Sequence, residues 1–359
     1  MKMIERGSKG RKEIVLWATE RVWVGVDTHK RTYHVAVYSD QRGILATWVQ
    51  PAKPEVLVRR LEPIAAHVVQ VVYEAGPTGF GLARALKSAG FAVLVAAPSR
   101  IPSAPGRQNK TDRLDCRKLA MLAAKGMLHS VYVPGEREEA DRQVMRRRGQ
   151  VVEKLKQTKH QIKSFLLCYN IAEPPGLKNW TRASVQALRQ VELIDELRWC
   201  LDDMLDELEM LQARLRHIEG KVRELSRAPR HREAMAVLTS VPSVGLITAM
   251  TWRTEVLAPE RFSAEELASH LGLAPSVHQS GNTRRGGPII KAGNWRVRAI
   301  MVEAAWRWLR LDPWARATYG RLLGNTGDAR KAIVGLARRL ALRLWAMSLS
   351  GERYRPAAA

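Results

Sequence analysis

The chain has 359 residues, and its 59 Lys and Arg against 35 Asp and Glu leave a formal net charge of +24. At about 100–200 residues per domain this length serves two or three domains, and 46% hydrophobic with 26% charged residues excludes disorder as the default state. The cationic surplus favours a polyanionic partner, with DNA, RNA, an anionic membrane surface and an acidic protein all open on charge alone.

Cys116, Cys168 and Cys200 lie far apart with no C-x-x-C spacing, which argues against a disulfide framework or a zinc ribbon and for a reducing cytosol. No apolar run reaches the roughly 18 residues of a membrane span, and the basic start is not followed by the apolar region and cleavage site of a secretory leader. The expectation is a cytoplasmic protein without a membrane anchor.

From residue 21 to residue 97 short β-rich runs alternate with helical stretches. Residues 22–26, 33–38 and 44–49 read as a three-stranded meander with a turn at 40–43. A helical pattern through Val56, Leu57, Leu61 and Ile64 leads to a strand at 68–73, a helix at 82–89 closed by Gly90, and a strand at 91–96. This succession predicts an α/β layered domain with a mixed sheet over residues 21–135.

Four acids punctuate that domain. Asp27 ends the first strand and Glu74 ends the strand at 68–73; Asp112 and Asp115 share one face of a helix with Thr111 as N-cap. Singly, each reads as a turn or helix-start residue. Together, on strands ending at the same side of a sheet, they could gather four carboxylates that repel unless cations intervene. Oxygen-only ligation suits Mg²⁺ or Mn²⁺, and two such ions can serve the attacking and leaving oxygens of a phosphodiester.

Residues 136–230 read as long polar helices. Ile194, Leu197, Leu201, Met204, Leu208, Leu211, Leu215, Ile218, Val222 and Leu225 form a sustained seam in steps of three and four, the pattern of a coiled coil. A weaker seam runs through Val144, Val151, Leu155, Thr158, Ile162 and Phe165, and Pro174-Pro175-Gly176 is expected to break the helix between them. Either an antiparallel hairpin, a dimerising arm or a spacer packed on its own domain satisfies this pattern.

Residues 234–351 form a third, mainly helical unit. Leu238 to Ala249 resembles a helix-hairpin-helix element whose turn, Pro242 to Gly245, could offer backbone N–H groups to a phosphate. A structural turn is the plain alternative. Ser280 follows in a Gly-rich loop among Arg284, Arg285 and Lys291, with His278 two residues away as a possible base. From Arg284 to Arg355 there are 16 Lys and Arg against 4 Asp and Glu. The interspersed Trp295, Trp306, Trp308, Trp314 and Trp345 are expected to pack between helices, while the arginines favour nucleic acid.

The acidic combination resembles the RuvC-like branch of the ribonuclease H fold. Val24-Gly25-Val26-Asp27-Thr28-His29-Lys30, Tyr73-Glu74-Ala75-Gly76-Pro77-Thr78-Gly79, Ala97-Pro98-Ser99, Lys110-Thr111-Asp112-Arg113-Leu114-Asp115 and Val131-Tyr132-Val133-Pro134 are similar to the DEDD domain of insertion-sequence 110 family transposases. Leu271-Gly272-Leu273-Ala274-Pro275, Ser280-Gly281 and Lys291-Ala292-Gly293-Asn294 resemble the carboxy-terminal domain of the same family, so that the resemblance covers nearly the whole chain. It departs at Gln279, where a Ser is common, and at Pro288-Ile289-Ile290; Ser276 is the fallback nucleophile.

That resemblance implies that Ser280 attacks DNA to form a phosphoserine link, and that Asp27, Glu74, Asp112 and Asp115 bind Mg²⁺ or Mn²⁺. It further implies a composite site within a homo-oligomer, dimer or tetramer, guided by a structured noncoding bridge RNA. Lys30, Lys110, Arg113, Pro242, Gly245, Arg284, Arg285, Lys291, Arg296 and Arg298 are the expected nucleic-acid contacts. The rivals are a Holliday-junction resolvase or nuclease using metal-activated water, a Piv-type site-specific invertase, and a nonenzymatic scaffold.

Overall fold

The structure, a computed structural model, describes residues 14–102, 112–280, 283–289 and 292–356, with the backbone alone described at 112–114, 277–280, 283–286 and 288. The chain divides into two compact units, Met1–Pro134 and Gly135–Ala359.

In the first unit the expected meander forms as β1 (Val22–Thr28), β2 (Thr32–Ser39) and β3 (Gly43–Pro51). Helix α1 (Pro54–Leu61) follows, and Ile64 falls in a 3-10 segment, Glu62–His67, because Pro63 has no N–H to continue an α-helix. Then come β4 (Val68–Glu74), α2 (Gly81–Ser88), β5 (Val93–Ala96) and α3 (Asp112–Ala124). The last strand begins two residues later than the pattern predicts. Gly90 turns at φ +85° and Phe91 N–H donates to Leu86 O at 3.0 Å, so Phe91 closes the exit of α2 instead of joining the sheet.

The sheet order is β3-β2-β1-β4-β5, with the meander antiparallel and β1, β4 and β5 parallel. Alternation sorts side chains onto two buried faces. Val22, Val24, Val26, Val71 and Tyr73 pack with Leu57, Leu61, Leu82 and Leu86 of α1 and α2. Trp23, Val72 and Ala96 pack with Leu119 and Ala123 of α3.

The second unit contains α4 (Glu136–Cys168), α5 (Arg182–Arg189), α6 (Asp195–Ser226), α7 (Pro229–Leu238), α8 (Leu246–Glu255) and α9 (Ala264–His270). A hairpin of β6 (Pro275–Ser280) and β7 (Thr283–Ile289) precedes α10 (Trp295–Leu311), α11 (Pro313–Thr326) and α12 (Ala329–Ser350). Helices α4 and α6 run antiparallel, since Arg148 pairs with Glu219 at 2.7 Å and Thr158 donates to Glu207 at 3.1 Å. Val151, Leu155, Ile162 and Leu166 meet Leu201, Leu205, Leu208 and Leu211 between them.

Two expectations are corrected at this hairpin. Helix α4 stops at Cys168, ahead of Pro174, because Asn170 takes φ +52° and Ile171 N–H closes on Leu166 O at 2.8 Å. Ile194 lies before α6 and is 67% exposed, so the buried seam starts further along.

Val222 and Leu225 continue into the core of α7, α8, α10 and α12, around Trp252, Met301, Trp308, Leu336, Leu340 and Leu344. Only some of the tryptophans pack as expected. Trp308 is fully buried and Trp314 and Trp345 half-buried, but Trp295 and Trp306 are 58% and 44% exposed, on the outer side of α10. Among the described residues no helix is long and apolar enough to cross a membrane.

Glu20, buried ahead of β1, accepts from Arg42 Nε at 2.8 Å and also from its Nη2, tying the entry of the sheet to the β2–β3 turn. The Arg42 hydrogen bonds hold its carboxyl down to about 2, against an ordinary 4.5. A depressed carboxyl stabilises the folded chain fully above its ordinary pKa and loses that contribution as pH falls toward the folded value. Arg42→Ala removes the guanidinium that holds this carboxylate and is expected to lower the midpoint of urea unfolding near neutral pH. Its acid sensitivity between pH 4.5 and about 2 should be correspondingly weaker than that of the native chain.

Candidate active site

Asp27 and Glu74 lie near the carboxyl ends of the adjacent parallel strands β1 and β4, just beyond the aligned pair Val26 and Tyr73. Asp27 has the parity of Gly25 and Glu74 that of Val72, so both carboxylates belong to the sheet face that α3 covers. Gly25 permits that coverage. A Cβ at residue 25 would stand 2.0 Å from Cys116 O and 2.7 Å from Ala120 N, so the backbone of α3 rests directly on β1. Asp115 precedes Cys116 on this helix and is half-buried. Burial pushes the Cys116 thiol up, and the charge of Asp27 is near enough to add to the shift.

Asp27 keeps 20% side-chain exposure, and its Oδ2 lies 3.1 Å from His29 Nε2. His29 in turn meets His34 edge-on at 5.4 Å between ring centroids. His29 is not among the site residues expected from the sequence, although its place two positions after Asp27 on the hairpin return is a visible signal. Thr28 Oγ1 lies 3.3 Å from Thr78 Oγ1, joining the end of β1 to the loop after β4. Glu74 is exposed, and Lys30 is exposed in the β1–β2 turn.

The side chains of Asp112 and Arg113 lie outside the described residues, as do Lys110 and Thr111 altogether. Among the described residues no three His, Cys, Asp or Glu are grouped closely enough to hold a metal ion. Asp27, Glu74 and Asp115 nevertheless supply oxygen donors of the hard type on one sheet face and its covering helix, the donor chemistry a divalent cation of the Mg²⁺ class requires.

In the second unit Ser280 is the last residue of β6 and pairs with Thr283 across a two-residue connection. The expected Gly-rich loop is therefore a tight hairpin. Gln279 stands opposite Arg284 and His278 opposite Arg285, and the register puts positions 278, 280, 283 and 285 on one face. The side chains of Ser280, Arg284 and Arg285, together with Gly281 and Lys291, lie outside the described residues. Ser276 is half-buried at the start of β6.

Both ends of this hairpin are fastened to the end of α9. Leu273 and Ala274 N–H groups donate to Ala268 O at 2.8 and 3.1 Å, and Asn294 N–H donates to His270 O at 2.8 Å. Gly293 has φ +112°, and a Cβ there would lie 2.4 Å from His270 O. Asn294 caps α10 by accepting from Val297 N–H at 3.3 Å. Arg298 reaches Leu271 O at 3.3 Å, and Arg296 lies 4.6 Å from the centroid of the exposed Trp295 ring.

The turn between α7 and α8 exposes Pro242 and Gly245 and buries Val241, Ser243 and Val244. Gly245 is extended, with open space where a Cβ would be, so the turn does not require glycine for its conformation.

Two family models match the chain. One, described as a transposase of the DEDD IS110 type, matches residues 24–171, and one described as "Transposase IS116/IS110/IS902 family" matches residues 235–320. The five-stranded mixed sheet fits a RuvC-like DEDD domain. Transposase y4qE of Sinorhizobium fredii is 35% identical over 289 residues, covering 79% of this chain and 71% of that protein. The transposase for insertion sequence element IS1533 of Leptospira borgpetersenii is 26% identical over 90% of this chain and 94% of its own. The transposase for IS1111A of Coxiella burnetii is 24% identical over 69% of each.

The contact at Gly25 generates a direct test. Gly25→Ala must displace α3, with an expected cost of about 1–3 kcal/mol or more from overpacking. Thermal melting should report the loss, and amide hydrogen exchange should rise in residues 116–124 before it rises in β2 and β3.

Proposed function

The chain belongs to the IS116/IS110/IS902 transposase family and is a DNA transposase, and from that premise we propose strand cleavage and exchange through a phosphoserine intermediate. The observation that carries this reading is the position of Asp27 and Glu74 at the ends of neighbouring strands on the face that α3 covers, in a chain whose second unit holds Ser280 at the end of a clamped hairpin.

In this mechanism Ser280 Oγ attacks the scissile phosphorus. The bond from phosphorus to the bridging oxygen of the departing strand breaks, and that oxygen takes up, through solvent, the proton that the serine hydroxyl gives up. The phosphoserine ester conserves the energy of the lost diester, so a second DNA hydroxyl can attack it and release the serine without ATP. Asp27, Glu74, Asp112 and Asp115 would hold Mg²⁺ or Mn²⁺, which supplies positive charge for the phosphate oxygens and lowers the pKa of the attacking hydroxyl. The contact with His29 orients the Asp27 carboxylate.

Arg285, whose position shares the face of Ser280 in the hairpin register, would stabilise the charge that develops on the phosphate, and Arg284, on the opposite face, would contact a nucleic-acid backbone. Lys30, Lys110, Arg113, Lys291, Arg296 and Arg298, with the exposed turn at Pro242 and Gly245, would hold nucleic-acid backbones without reading bases. Guidance by a structured bridge RNA, and a site shared between copies of the chain in a homo-oligomer, complete the reading. The antiparallel pair α4 and α6 would serve as the coiled-coil arm of that assembly.

The test incubates the protein with DNA carrying the element ends, the adjacent noncoding transcript and Mg²⁺. A DNA-linked peptide containing Ser280 should appear by mass spectrometry, and Ser280→Ala should abolish both adduct and recombination. Metal-dependent cleavage that survives Ser280→Ala would instead identify a water-using nuclease, and DNA processing unchanged in a folded Asp27→Ala variant would identify a scaffold. Inversion as the recombination product would point to a Piv-type outcome.

A further inference from the structure

Glu255, the last residue of α8, is a buried carboxylate with 3% side-chain exposure. It accepts from Arg146 Nε at 2.9 Å and Nη2 at 3.1 Å, a two-pronged pairing that brings in α4. It also accepts from Asn294 Nδ2 at 3.1 Å, at the point where the β6–β7 hairpin enters α10. The adjacent Thr254 O accepts from Arg142 Nε at 3.1 Å, one turn of α4 away from Arg146. Burial disfavours the Glu255 charge, but the Arg146 hydrogen bonds and charge, the Asn294 bond and the charge of Arg142 together hold its carboxyl below the ordinary range.

Backbone bonds also hold the hairpin at both ends. One end leaves α9 through the turn at Ala274, and the other returns at Gly293 and Asn294 against His270. The backbone bonds there fix where the chain passes, whereas the Asn294 side chain fixes it to α4 and α8. Asn294 uses both ends of its amide: Oδ1 caps α10 and Nδ2 binds Glu255. One carboxylate thus links the return of the hairpin to both α4 and α8.

We propose that Glu255 is a positioning residue for Ser280, holding the base of the hairpin in register with α4 through Asn294 and Arg146. The proposal rests on the reading of Ser280 as nucleophile. A buried ion pair of this kind contributes little net stability relative to an apolar replacement, but it admits one arrangement of donors and acceptors. Here that arrangement places a reacting hydroxyl.

The polarity of the Glu255 and Asn294 pair can be exchanged. Asn294→Asp keeps the helix cap but sets a carboxylate against Glu255, and Glu255→Gln alone removes the charge that Arg146 requires. In the double variant the new amide at the end of α8 can donate to the new carboxylate at the start of α10, which restores the link to the hairpin but not the second oxygen that Arg146 uses on Glu255. Single-turnover formation of the Ser280–DNA adduct, at saturating DNA and guide transcript, should fall about 10–100-fold in each single variant, the scale of a small misplacement. DNA affinity should stay within about twofold, and the double variant should react faster than either single variant while staying below the native rate, because the 255–294 bond is restored and the Arg146 pairing is not.

Hydrogen exchange of peptides spanning residues 275–289 provides a readout independent of the chemistry. It should accelerate in Asn294→Asp and return toward native in the double variant, with α6 unchanged. Single variants that react at the native rate, or a double variant no better than the worse single one, would overturn the proposal. So would exchange that rises throughout the unit, which marks plain destabilisation. Should the native protein form no Ser280 adduct, the nucleophile reading fails, and the exchange pattern still decides whether Glu255 holds the hairpin.

Discussion

Between β1 and α3 there is no room for a single additional carbon. The helix backbone at Cys116 and Ala120 occupies the place where any side chain at residue 25 would begin. The acidic face of the first unit depends on that contact. It puts Asp115 over the same side of the sheet to which strand alternation assigns Asp27 and Glu74, and it keeps the Asp27 charge near the helix start. A bulkier β1 would still bury its valines against α1 and α2, because those lie on the opposite face.

Buried carboxylates play the corresponding part elsewhere. Glu20 fastens the approach to β1 onto the β2–β3 turn, and Asp141 on α4 accepts from Arg230 at 2.7 and 2.8 Å and from His231 at 2.9 Å on α7. Glu255 joins α4, α8 and the entry of α10. Each spans elements distant in sequence, and each would be costly if one partner were removed. Such pairs specify register more than they add stability. The second unit uses two of them on one helix, which ties α4 to the core that carries the serine hairpin.

The interior of the second unit is apolar and closely packed around Trp252 and Trp308, while α10 presents Trp295 and Trp306 outward beside its arginines. An exposed tryptophan next to a guanidinium offers a flat surface and a charge together, which suits a stacked base or a sugar-phosphate chain. The same helix therefore serves core and surface with the same residue type. The apolar neighbours of Trp295, Trp306, Trp308, Trp314 and Trp345 in the sequence favour packing for all five, since similar side chains carry no mark of which way each points.

Alternating valines, the turn at 40–43 and the closing Gly90 suffice to predict the meander, the mixed sheet and the strand ends bearing Asp27 and Glu74, because those patterns are local. The steps of three and four through Leu201, Leu208 and Leu211 likewise announce a long paired helix, but they do not name its partner or its antiparallel sense. Tertiary structure alone decided the rest. That Gly25 touches α3, that Ser280 ends a strand in a tight hairpin, and that Glu255 reaches both Arg146 and Asn294 are consequences of close approach between segments up to 109 residues apart. A one-dimensional pattern records which residues are apolar or charged; only packing determines which of them come near enough to exclude a carbon or share a proton.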